Sequence, residues 1–101
     1  MKILTIVVHT SAQQPLADCL RALPQVQSFT FIHSEGHSTH TESDPFLSAR
    51  DKVVGYVPRV RLDVLLEDAD VSAVLDVLIA AGDCRGQAVY WVSAVAQSGR
   101  L

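Results

Sequence analysis

Apolar and polar residues alternate along this chain in a way that marks out six short elements and one long polar interval. Met1 to Val8 is apolar and rich in β-branched residues, with Leu4, Ile6 and Val8 on one strand face and Ile3 and Val7 on the other. The run predicts a strand buried on both sides. Thr10 and Ser11 follow as candidate helix caps, with Gln14 three residues after Ser11 in a capping-box arrangement and Pro15 in the first turn. Leu16, Cys19, Leu20 and Leu23 then recur at helical spacing until Pro24 closes the segment. Val26 to Glu35, with Phe29, Phe31 and Ile32 in no helical period, predicts a second strand. Gly36 to Lys52 is polar, Ser/Thr-rich and unpatterned, and a loop of that length in a small domain is usually functional or disordered.

Val53 to Glu67 has the clearest two-residue period. Val54, Tyr56, Pro58, Val60, Leu62, Val64 and Leu66 share one side, and Arg59, Arg61 and Asp63 lie on the other. Pro58 cannot donate to a ladder, so the start of this strand is expected to project past the sheet or to form its edge. A second helix follows, capped by Asp68 or Asp70, bearing Val71, Val74, Leu75, Leu78 and Ile79 and stopped by Gly82. After a turn at Asp83 to Gly86, Gln87 to Gln97 predicts the last strand.

The resulting order is the βαββαβ pattern of ferredoxin-like α+β folds: one domain over residues 1–101, a four-stranded antiparallel sheet with two helices on one face. The other face is left bare. The first strand is apolar on both sides, and the last offers Val89, Trp91 and Val95 opposite Tyr90, Val92 and Ala94. Leaving such side chains in water forfeits roughly 1.5–3 kcal/mol each, so a homo-oligomer joined sheet to sheet is expected, with Trp91 and Val89 in its interface.

Composition narrows the function classes. The chain has 101 residues and a formal net charge of −3, which argues against nucleic acid as a partner because phosphate binding needs a basic face. No apolar run approaches the roughly 20 residues of a membrane span, and no secretory signal is evident, so a cytoplasmic protein without membrane insertion is expected. Cys19 and Cys84 form no CxxC pair, which suggests neither a metal motif nor a disulfide scaffold, and their role is left open. There is no GxSxG, P-loop or HExxH, and the expectation is that the chain is not an enzyme.

Two side-chain groups could carry chemistry. His33, Glu35, His37 and His40, with Glu42 and Asp44 beyond, form the densest set of potential metal ligands. On an extended strand His33, Glu35 and His37 project to one side about 6.6 Å apart, within reach of one zinc, copper or nickel ion. The same residues also fit a polar surface loop, with Gly36 interrupting the strand. Arg59 and Arg61 share a face near Arg50 and Lys52, and with Arg85 they could grip an anionic effector or pair with acids such as Asp63 and Glu67. His9, at the end of the first strand, reads as a capping or surface residue.

Val54-Gly55-Tyr56-Val57-Pro58-Arg59-Val60-Arg61, running into Leu62-Asp63-Val64-Leu65-Leu66-Glu67, and the closing Val89-Tyr90-Trp91-Val92-Ser93-Ala94-Val95 with Gly99 carry a resemblance. In these words and in layout the chain resembles the PII-like superfamily of trimeric signalling proteins, and within it an uncharacterised PII-like family often encoded beside heavy-metal efflux systems. The resemblance implies a homotrimer, effectors held in clefts between subunits, and a long loop that touches a client protein. Proteins of that superfamily hold nucleotide phosphates with a glycine-rich turn and nearby basic residues; here the turn is Gly82-Asp83-Cys84-Arg85-Gly86, without lysine. The function expected is a regulatory or sensor protein that binds a small effector or transition-metal ion near residues 36–52 and modulates a partner such as a metal-efflux transporter. The alternatives are a metal-buffering or metal-chaperone protein using the loop histidines and a nucleotide-responsive regulator.

Overall fold

The computed structural model describes residues 1–37, 56–82 and 88–101. Strand β1 (Lys2–His9) passes directly into a 3-10 turn at Thr10–Ala12 and then into helix α1 (Gln13–Arg21). His9 makes that hand-over. It remains extended, and its ring Nδ1 accepts the Ser11 N–H at 3.1 Å, so the expected capping role is met on the 3-10 turn. The Ser11–Gln14 capping box is not formed. The 3-10 turn delays the α-helix to Gln13, which leaves Ala12 at the cap without a side-chain acceptor, and Gln14 instead donates to Asp18 Oδ1 at 2.8 Å one turn on. Leu16, Ala17 and Leu20 are the buried residues of α1. Two further turns, Leu23 N–H to Leu20 O and Val26 N–H to Leu23 O, carry the chain past Pro24 to strand β2 (Phe29–Gly36).

Strand β3 (Val57–Leu66) is followed by a 3-10 turn at Asp68–Asp70, helix α2 (Val71–Ala81) and strand β4 (Val89–Ala94). Neither Asp68 nor Asp70 caps α2 through its side chain. Asp68 turns to the N-terminal amine, which donates to its Oδ1 at 2.9 Å and holds its carboxyl below the usual carboxylate range. Gly82 adopts φ 74°, the left-handed stop expected of it, and its N–H returns to Ile79 O at 3.2 Å. Among the described residues no helix is long and apolar enough to cross a membrane.

The four strands lie in the order β2-β3-β1-β4, every pair antiparallel, which is the ferredoxin-like α+β arrangement expected. β1 and β3 are central; β2 and β4 are the edges. One detail differs from the pattern in the sequence: Gly36 does not break β2 but pairs with Val57 as its last residue. The β1–β3 register ends at His9↔Arg59, so Pro58 overshoots β1, in line with the expected projection of the strand's start, and is matched only by Glu35 of β2. A missing N–H at that position removes no bond to β1.

Side-chain alternation gives the sheet two unlike faces. Leu4, Ile6 and Val8 of β1 and Val60, Leu62, Val64 and Leu66 of β3 meet Ala12, Leu16 and Leu20 from the α1 region and Val74 of α2 in one core. Phe29 and Phe31 close it at the β2 edge, their rings edge to face at 5.5 Å. The opposite face carries Ile3, Thr5, Val7 and His9 of β1, Arg59, Arg61, Asp63 and Leu65 of β3, Thr30, Ile32 and Ser34 of β2, and Val89, Trp91 and Ser93 of β4, as the register requires. The core contains no residue of this second face, on which Ile32, Val89 and Trp91 are 48%, 52% and 43% exposed. The face is less uniformly apolar than β1 and β4 by themselves suggest, because β3 places charged residues across its middle.

A polar relay on the open sheet face

The register stacks residues of the open face in rows across the strands. One row reads Thr30, Asp63, Thr5, Trp91; the next reads Ile32, Arg61, Val7, Val89; a third reads Ser34, Arg59, His9. Neighbours within a row sit about 4.5–5.5 Å apart at Cβ, close enough for direct contact.

In the first row Thr5, buried to 1% exposure, donates its hydroxyl to Asp63 Oδ1 at 2.8 Å. Arg61 Nε donates to that same oxygen at 3.3 Å, and the guanidinium carbon lies 5.8 Å from the centre of the Trp91 ring. A relay Thr5–Asp63–Arg61–Trp91 therefore spans three strands. A buried hydroxyl needs its acceptor, and a carboxylate that has left part of its hydration shell needs donors; here each supplies the other. Arg59 is held differently. Its stem crosses Gly36, where a Cβ would come within 2.6 Å of Arg59 Cδ and 2.7 Å of Nε, so the absence of a side chain at Gly36 is what admits it.

The expected interface residues Val89 and Trp91 do share this face, and so do the expected effector residues Arg59 and Arg61. Arg85 lies outside the described residues, as does His40. The metal candidates fall elsewhere. His33 and Glu35 are matched with Val60 and Pro58, on the helix-bearing side of β2, and His37 follows the strand's end. His33 Nε2 lies 3.1 Å from Gln13 Oε1 of α1. Among the described residues no three His, Cys, Asp or Glu side chains are grouped closely enough to hold a metal ion. Thr5 is the member of the relay that sequence reasoning missed; its only signal was a lone hydroxyl in an otherwise apolar strand.

A family model described as a protein of unknown function, DUF3240, matches residues 1–101. The chain belongs to the DUF3240 family. Its fold is similar to the crystal structure of a DUF3240 family protein from Shewanella baltica OS155, with a TM-score of 0.78 and 18% identity over 99% of this chain and 94% of that one. No curated protein matches it. For this DUF3240 chain the likeness to a solved structure concerns the fold alone, so its function has to be argued from its own side chains.

Proposed function

We propose that this DUF3240 protein is a non-enzymatic, PII-like regulatory module that self-associates through the open sheet face, as a homotrimer, and binds a small anionic effector where the faces meet. Effector binding would bias the segment at residues 36–52 and so change contact with a partner, for which the sequence resemblance suggests a metal-efflux transporter. The observation that carries the proposal is the open face itself: Ile32, Val89 and Trp91 are exposed on a sheet surface that no helix among the described residues packs against, and Arg59 and Arg61 lie in the same patch. Covering exposed side chains of this size stabilises an assembly by roughly 25 cal/mol per Å² of apolar area removed from water. The trimeric number comes from the sequence resemblance; the choice of face comes from the burial pattern.

Light scattering on the wild type and on Val89→Asp tests this. Three-chain mass in the wild type and a shift to single chains in the variant, with an unchanged far-UV spectrum, is the expected result. A wild type that stays a single chain at every concentration refutes it.

A second reading, transition-metal sensing or buffering, is favoured by one arrangement: His33 and Glu35 share a side of an exposed edge strand, with His37 just beyond. An ion at His33 would have to displace the Gln13 contact or use the other ring nitrogen. Titration of zinc, copper and nickel into wild type and a His33/His37/His40 to Ala variant decides it, and equal affinity in the two removes the reading.

A further inference from the structure

Arg61 is fixed on the open face in a way that leaves one edge of its guanidinium without a carboxylate partner among the described residues. Its Nε is tied to Asp63, which Thr5 anchors in turn, and its guanidinium carbon lies over the Trp91 ring. The donors on Nη1 and Nη2 have no carboxylate partner among the described residues, and Arg59 forms no ion pair among them either. An arginine held by Nε keeps a two-toothed edge whose spacing matches the two oxygens of a carboxylate or phosphate. Because the side chain is already ordered, little rotamer freedom is left to lose when an anion arrives.

Charge balance on the face points the same way. Among the described residues of the face, two arginines stand against one aspartate, and that aspartate is shared between Thr5 and Arg61. A chain of net charge −3 thus presents a locally positive surface. If copies pack this face together, they carry unbalanced positive charge out of water, which is costly unless an anion comes with it. Val7, Val89 and Ile32, in the same row as Arg61, supply apolar flanks that exclude water from such a pair.

We propose that Arg61, with Arg59 beside it, binds a small oxyanion, the carboxylate or phosphate group of a metabolite, on the open sheet face. This rests on the effector reading above and names the chemistry of the effector. Thr5 and Asp63 act as positioning residues: they hold Arg61 and do not touch the anion.

Trp91 is the only tryptophan, so its fluorescence reports on the site directly. Inorganic phosphate and succinate are titrated separately, with ionic strength held constant by sodium chloride. A saturable change with phosphate, succinate or both is expected in the wild type, and the arm that responds identifies the head group. Arg61→Gln abolishes it, Arg61→Lys weakens it about tenfold because lysine lacks the parallel donors, and Arg21→Gln, altered on α1 far from the face, leaves it unchanged. Thr5→Val weakens it about threefold, by loosening an interaction worth a fraction of the ~1.4 kcal/mol that tenfold represents, and Thr5→Ser restores it. Far-UV spectra and melting curves of each variant separate loss of the site from loss of the fold. The proposal is overturned if neither anion produces a saturable change, or if Arg61→Gln, still folded, responds as the wild type does. Light scattering on the same samples keeps the two ideas distinct: a trimer blind to both anions removes the oxyanion site and spares the assembly, whereas a single chain that binds anion spares the site and removes the trimer.

Discussion

The hydrogen bond between Thr5 and Asp63 should be measurable as a coupling energy. Thr5 is 1% exposed and its hydroxyl lies 2.8 Å from Asp63 Oδ1, while the Asp63 side chain retains 24% of its exposure. Hydrogen bonds to an ionised partner contribute about 1.5–3 kcal/mol, and the residual water at the carboxylate places this one at about 1.5 kcal/mol. Thr5→Val alone should cost about 1 kcal/mol, since the added methyl recovers about 0.8 kcal/mol of apolar burial. Asp63→Ala alone should cost more, about 2–3 kcal/mol, because it strands a buried hydroxyl and releases Arg61. The double variant should then be more stable than the sum of the singles implies by about 1.5 kcal/mol. With a urea slope of ~1.5 kcal/mol/M, that difference is a midpoint shift of about 1 M, easily resolved by equilibrium denaturation. If the two substitutions add to within about 0.5 kcal/mol, the relay carries no energy and the account of how Arg61 is positioned fails.

Three other outcomes follow from the fold. Leu62→Ala, at a position 0% exposed in the middle of β3, should lower unfolding free energy by about 2–5 kcal/mol in the same denaturation assay, and a loss under about 1 kcal/mol would mean the core is not built around it. Gly82→Ala should cost about 1–2 kcal/mol through backbone strain alone, since φ is 74° and an added Cβ meets nothing within 4 Å; Gly82→Asn should recover much of the loss, and a neutral alanine would contradict the left-handed stop. Asp68 bears on acid stability. Its carboxyl is held low in the folded state by a hydrogen bond from the N-terminal amine, so its small contribution is complete above the ordinary carboxylate pKa and fades as pH falls below it. Asp68→Asn should therefore lower the melting temperature slightly at neutral pH and flatten its decline in acid, where an unchanged acid limb would refute the pairing.

Much of the fold could be read from local pattern, because the features that set it are local. The two-residue period from Val60 to Leu66 identified a strand with one buried side, and Gly82 announced the end of α2 by its place in the sequence. What escaped were contacts between distant segments. Thr5 and Asp63 are 58 residues apart and meet only because β1 and β3 pair in one register. The same register brings Lys2 beside Leu66 and so carries the N-terminal amine to Asp68, drawing that side chain away from the helix cap its position suggested. His33 was placed correctly with Glu35 on one side of a strand, but its Gln13 partner sits on a helix 20 residues earlier. At Ser11 the failure was geometric: one 3-10 turn moved the start of α1 and handed the capping role to His9. The sequence also marked Arg59 and Arg61 as sharing a face, yet only the register shows that this face includes Trp91 and His9 and excludes His33.

That separation makes the two functional readings independent in experiment. His33 and Glu35 lie on the helix-bearing side of β2, whereas Arg59 and Arg61 project from the opposite side of β3. Side chains on opposite faces of a sheet are divided by the backbone layer, and substitutions without shared partners add in their effects. His33→Ala should therefore leave the Trp91 fluorescence response to phosphate or succinate untouched, and Arg61→Gln should leave any zinc, copper or nickel affinity untouched. If metal affinity instead fell in folded Arg61→Gln, the metal and anion responses would have to be joined through the assembly, because within one chain the sheet keeps them apart. Measuring Arg61→Gln both as wild-type-like oligomer and, with Val89→Asp added, as a single chain tells these cases apart: coupling that vanishes in the single chain lies between subunits, and coupling that survives there refutes the assignment of the two groups to separate faces.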